Sequence, residues 1–163
     1  MFDAPVDTLY VWVGLTVVAG VTLGTAVELP TTAEPDAETA AASVDRVAAV
    51  THDATGRYPV TADAVAVDPH GLSLRDGDRT ATAEFAYGPV VPIDRGSALW
   101  SILNGVPPDE KFDDAAEFEA ATDEASRSAI DEHMAGETNW QNTDRLLIRT
   151  TIWEDVDVTL VGA

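Results

Sequence analysis

The longest apolar run in the chain is Leu9 to Val27, LYVWVGLTVVAGVTLGTAV, nineteen residues without a charged side chain. At 1.5 Å rise per residue a helix of this length is roughly 28 Å long, close to the thickness of a hydrocarbon core. Tyr10 and Trp12 stand at its start, where amphipathic rings favour the headgroup zone, and Glu28 with Pro30 closes it. The pattern predicts a single transmembrane helix. Two other readings compete with it. Gly24-Thr25-Ala26 is small enough for a signal-peptide cleavage site, but Met1 to Thr8 offers Asp3 and Asp7 where a basic n-region belongs. A buried core helix needs more protein around it than the rest of the chain supplies. Neither flank carries lysine or arginine before Arg46, so loop charge does not set the orientation. The eight-residue N-terminus resembles a signal anchor and places the soluble part outside the cell. Within the helix, Gly20 and Gly24 are four apart, a spacing that lets a second helix approach closely; they are the candidates for helix association.

Beyond the apolar run the periodicity changes. Residues 28–35 read as a linker, and Asp36 is a plausible N-cap for a helix running to about His52, with Ala37, Ala40, Ala41, Val44, Val47 and Ala48 near helical spacing. Val60 to Val67 then alternates into Asp68-Pro69-His70-Gly71. Leu72 and Leu74 lead to Asp76-Gly77, and Thr80 to Tyr87 follows, the signature of a β-meander. The Asp-Gly pair favours a turn with positive φ at both central residues. Gly88 to Pro92 breaks the pattern, and Gly96 to Leu103 suits a short helix stopped by Asn104-Gly105. Asp113 to His133 predicts a longer helix, with Phe112, Ala116, Ala120 and Ala121 on its apolar side and Gly136 after its end. Arg145 to Val161 regains β-branched and aromatic density, as two strands turning at Glu154-Asp155 or one long bent strand. The expected fold is α+β: a single N-terminal transmembrane helix, then a helix packed on an antiparallel β-meander with a second surface helix. The expected division is residues 1–8 as a flank, 9–27 as the membrane helix, 28–35 as the linker and 36–163 as one soluble acidic domain.

Charge narrows the function. The chain holds 29 acidic residues against nine basic ones, and eight of those nine are arginine. Such a surface repels phosphate backbones, so no nucleic-acid partner is expected. Its 45% hydrophobic content and four tryptophans argue for a folded core over disorder. Scarce lysine, abundant aspartate and many small apolar residues resemble the proteome style of extremely halophilic archaea. Dense carboxylates keep a protein hydrated where multimolar salt screens their repulsion. Unfolding at low salt is therefore expected. The absence of cysteine excludes disulfides, thiolate chemistry and an acylated lipoprotein cysteine.

Candidate chemistry is sparse. His52-Asp53 would suit a metal-dependent phosphohydrolase only within a larger histidine and aspartate array, and His70 and His133 lie apart from it in a turn and a helix end. Ser97 and Ser101 have tempting neighbours, but neither sits in a nucleophile elbow. Asp113-Asp114 and Asp155-Asp157 could bind a hard cation, yet adjacent acids arise from composition alone in so acidic a chain. Trp100, Trp140 and Trp153 suit a core more than a platform. Asn104, Asn139 and Asn142 all miss the glycosylation pattern. No catalytic residue, cofactor or metal ligand is predicted.

A short N-terminus, one hydrophobic helix, an amphipathic helix and a meander together resemble a pilin-type subunit. The chain is similar to uncharacterised haloarchaeal membrane proteins associated with type IV pilus-like machinery, in this architecture and in the segments Gly88-Pro89-Val90-Val91-Pro92 and Asn104-Gly105-Val106-Pro107-Pro108. The resemblance implies a non-enzymatic subunit of a pilus-like or secretion assembly, partnering the membrane and other subunits through its transmembrane helix. No basic cleavage motif precedes that helix, no glutamate lies near its start, and Pro30 and Pro35 interrupt its continuation. These departures fit an unprocessed accessory or minor subunit better than a major pilin. The alternative is a membrane-tethered extracytoplasmic binding or sensor domain; an enzyme with an unrecognised site is a third reading.

Overall fold

The computed structural model describes residues 35–163, and the expectations for the flank, the Leu9–Val27 helix with Gly20 and Gly24, and most of the linker lie outside the described residues. The first described helix, α1, spans Ala37–Ala48. Its start is the expected one: the Asp36 carboxylate accepts the Thr39 N–H at 2.9 Å, satisfying a donor that a helix end leaves free. It stops four residues short of His52. Ala49 closes the last turn, and the carbonyl of Val47 accepts a hydrogen bond from Thr150 Oγ1 at 3.0 Å.

Seven strands follow, β1 (Ala54–Pro59), β2 (Ala64–Asp68), β3 (Gly71–Asp76), β4 (Arg79–Glu84), β5 (Val91–Pro92), β6 (Arg145–Trp153) and β7 (Val156–Gly162), with helices α2 (Ala98–Leu103) and α3 (Ala115–Met134) between β5 and β6. They make two sheets instead of one. The expected meander is real, in the order β2-β3-β4, but a second sheet of four strands runs β1-β6-β7-β5. All pairings are antiparallel except the two-residue β5, which runs parallel to β7. Among the described residues the architecture is thus α+β, with three α-helices and mainly antiparallel sheets.

Several boundaries move for identifiable reasons. Val60 to Val67 is not one strand: the strand starts at Ala64, and the preceding one is β1, ATGRYP, whose glycine and proline hide it from alternation. Gly56 is required there because a Cβ would stand 2.7 Å from Val47 Cγ2, where β1 crosses α1. In the β3–β4 hairpin the register pairs Asp76 with Arg79, so the central residues are Gly77 and Asp78, and of these only Gly77 has positive φ. The C-terminal segment forms two strands, turning at Glu154-Asp155 with Glu154 at φ 55°.

The four-stranded sheet is covered on both faces. Leu146, Ile148 and Val161 point to one side, where they pack with Ala40 and Val44 of α1 and with Val65, Leu72 and Leu74 of the meander. Leu147 and Leu160 point to the other, against Leu99, Ile102 and Leu103 of α2 and Phe118 of α3. Alternation along each strand produces this division. Each fully buried side chain among them, such as Ile148 or Leu160, contributes roughly 1.5–3 kcal/mol by leaving water. The hydroxyls of Thr150 and Thr159 pair at 3.0 Å within the α1 side, so their burial leaves no polar atom unmatched there.

Helix α3 begins as expected, with Asp114 as N-cap, and ends before Gly136 at φ 74°. Its apolar side is the expected one only in part: Phe112 and Ala121 pack against the core as expected. Ala115, Phe118 and Thr122 are buried, whereas Ala116 and Ala120 are exposed, because Phe118 sets the contact by wedging between Phe112 and Trp153 at centroid distances of 5.6 and 6.0 Å.

Candidate functional site

Only the first half of α3 is held down in this way. Along its second half the large apolar side chains Ile130 and Met134 are exposed, and a cleft of about 600 Å³ opens between this half, the outer face of the meander and the β5–α2 connection. A volume of this size suits a small-molecule site. Its apolar lining comes from Ala121, Ala125 and Ala129 of α3 and from Pro92, Ile93 and Leu99. The meander contributes the cross-strand row Ala66, Ser73 and Thr82, in which the two hydroxyls pair at 2.9 Å.

The polar end of the cleft is built around Asp94. Its Oδ1 accepts from Asn139 Nδ2 at 2.9 Å and from Gln141 Nε2 at 3.3 Å. A carboxylate can only accept, so both amides must present nitrogen to it, which fixes their orientation. Gln141 is in turn pinned to β2 by a pair of backbone hydrogen bonds with Val65, 2.8 and 2.9 Å. That bridge leaves Gln141 Oε1 buried and without a hydrogen-bond partner among the described residues. Ser97 donates its hydroxyl to the Asp94 carbonyl at 2.9 Å and accepts the Trp100 N–H as N-cap of α2. His133 lies in the last turn of α3, on the cleft wall.

Among the described residues, the serines, histidines and acidic pairs singled out in the sequence lie apart from one another. Ser97 is engaged as a cap, and Ser101 is half-buried within α2. His52 is exposed, while neighbouring Asp53 accepts the Ile152 N–H at 2.8 Å. His70 occupies the β2–β3 turn, its N–H donated to Asp68 at 2.8 Å. Asp114 caps α3 by accepting the Glu117 N–H, and Glu117 reaches back to the Asp113 N–H, a reciprocal arrangement of the capping-box kind. Asp155 lies in the β6–β7 turn and Asp157 on β7. Among the described residues no group of three or more histidine, aspartate or glutamate side chains is placed to hold a metal ion.

The three tryptophans among the described residues have separate partners. Trp153 packs on Phe118, Trp140 lies under the Arg75 guanidinium at 4.4 Å, and Trp100 faces that of Arg95 at 5.9 Å. All three are half-buried. Asn139 anchors Asp94, and Asn104 donates to the Trp100 carbonyl at 2.8 Å. Asp36 and Tyr58 meet near the start of α1. Hydrogen bonds from Thr39 hold the Asp36 carboxyl below its ordinary value of 3.8, and burial, with a smaller push from Asp36, raises the Tyr58 phenol above 10.0.

Neither Asp94 nor Gln141 stands out in the sequence. Each belongs to an irregular polar stretch, and only the pairing of residue 141 with residue 65 brings them together. Asn139 drew notice only as a failed glycosylation site, so its role as a donor to Asp94 had no local signal. Among the described residues no helix is long and apolar enough to cross a membrane.

The chain belongs to a family of unknown function, DUF7283, whose pattern matches residues 3–151. No curated protein and no solved structure matches it.

Proposed function

We propose that this DUF7283 member is a non-enzymatic, membrane-anchored subunit, an accessory or minor pilin-like component of an archaeal pilus-like or secretion assembly. In this reading Leu9 to Val27 crosses the cell membrane once, Gly20 and Gly24 form the helix-association surface, and the acidic domain faces outward. One observation carries it. The first described helix after the apolar segment buries its Ala37, Ala40, Ala41 and Val44 stripe against sheet, which supports the order of anchor, packed helix and sheet that a pilin-like subunit requires. The test is co-purification from detergent-solubilised membranes. Pilus or secretion components should accompany the protein, and recovery as a lone monomer defeats the assembly role. Protease treatment of intact cells should remove the domain; full protection defeats the outward orientation.

The halophilic character is part of the same proposal. The melting temperature should rise steeply from dilute buffer to multimolar KCl, as carboxylate repulsion is screened, and an unchanged value defeats it.

A second reading, a membrane-tethered binding or sensor domain, is favoured by the cleft beside Asp94. It predicts that a cognate small molecule raises the melting temperature in proportion to the logarithm of its concentration. Asp94→Asn should remove that increase while leaving the unliganded melting temperature little changed; the same increase in wild type and variant would discard the site.

A further inference from the structure

The chain has nine basic residues against 29 acidic ones, yet three of its eight arginines line a single groove of about 580 Å³. Arg57 comes from β1, Arg145 from the start of β6 and Arg95 from the β5–α2 connection. In the β1–β6 register Arg57 faces Leu147 and Arg145 faces Pro59, so the two arginines rise from the same face of the sheet on adjacent strands. Three arginines among ten lining residues is several times the share that eight in 163 would place there, and Asp144 is the one acidic side chain among those ten.

The three guanidinium groups are in different states. Arg57 is exposed and has no hydrogen-bond or ion-pair partner among the described residues. Arg145 pairs with Asp144 at 3.1 Å, but both side chains are mostly exposed, and such a pair contributes little and exchanges readily. Arg95 is oriented by the Ala163 oxygen at 2.9 Å and the Asn142 carbonyl at 3.3 Å, and it lies beside the Trp100 ring. The groove therefore combines one fixed and two available guanidinium forks, the geometry that matches a carboxylate.

We propose that this groove binds a carboxylate-bearing peptide segment of a partner protein, with an aspartate or glutamate side chain between Arg57 and Arg145. An extended polyanion would have to approach the surrounding acidic surface as a body and is repelled by it. A short flexible segment enters the groove alone. This inference goes beyond the assembly reading and fails separately from it, since it concerns only what the described domain captures.

The test uses the full chain in neutral detergent and a fluorescein-labelled peptide carrying Asp-Glu-Asp, followed by anisotropy at several KCl concentrations. Saturable binding is expected, with Arg57→Gln and Arg145→Gln each weakening it about fivefold, the scale of one charged hydrogen-bonding group at a solvent-accessible site. Asp144→Asn should tighten it by removing the competing carboxylate. Arg127→Gln makes the same change in net charge on exposed α3 and should leave binding unaltered, and unchanged melting temperatures confirm that all variants fold. Equal binding of an Asn-Gln-Asn peptide, equal loss in Arg127→Gln, or displacement of the peptide by an equal concentration of inorganic phosphate would overturn the proposal. Arginine-dependent capture on anionic vesicles in place of the peptide would do so too.

Discussion

Helices α1 and α3 are made of similar material and end in different environments. Both are rich in alanine and acidic residues, and both start from an aspartate whose side chain accepts a backbone N–H three residues on. In α1 the apolar positions form one stripe, Ala37, Ala40, Ala41 and Val44, which meets both sheets, and Ala40 and Val44 are fully excluded from solvent. In α3 the alanines are spread around the axis, and a single bulky residue, Phe118, holds the first half against the sheet while the second half borders the cleft. The difference teaches that the arrangement of small residues, more than their number, decides which helix becomes core. It also explains the cleft, because alanine walls leave space that larger side chains would fill.

The comparison breaks most severely at Phe118. Phe118→Ala should destabilise the domain by about 3–5 kcal/mol in chemical denaturation, because it deletes the one large contact that attaches α3. Next in size is a matched pair of substitutions. Ala40→Leu, at a fully buried site, should cost about 1–3 kcal/mol through overpacking, whereas Ala120→Leu, on the exposed side of α3, should stay within about 0.5 kcal/mol. Equal effects at the two sites would show that the helices are packed alike after all.

The caps give smaller effects. Asp114→Ala should lower stability by about 1 kcal/mol. For Asp36 the informative variable is pH. Its carboxyl titrates lower in the folded state than its ordinary value, so its contribution is present above that value and lost as pH falls through the lowered one. The helical circular-dichroism signal should therefore carry an acid-side component below pH 3.8 that Asp36→Asn, which still caps but does not titrate, removes. Hydrogen exchange should sharpen the contrast with the least perturbation, the second half of α3 exchanging before α1.

Read from the sequence, the local elements are well placed wherever a chemical punctuation mark exists. Asp36 and Asp114 start helices, Gly77 turns a hairpin, and Gly136 follows the end of α3. Strand β1 escapes notice because Gly56 and Pro59 dilute its pattern, and its glycine makes sense only against Val47 of α1. The face of α3 is read only in part, Phe112 and Ala121 correctly and Ala116 and Ala120 not, because alanine carries too little hydrophobic contrast to choose a side, and Phe118 with its two aromatic partners chooses instead.

The sequence by itself determined the acidity, the apolar run, the α+β class and most helix and turn signals, since these depend on side chains a few residues apart. The tertiary structure alone decided that the strands divide into two sheets and that β5 joins β7 in parallel. It also decided that Asp94 meets Gln141 and that Arg57, Arg95 and Arg145 share a groove. Those outcomes depend on contacts between residues some 40 to 90 positions apart, for which loop closure and packing, and no local preference, determine the partner.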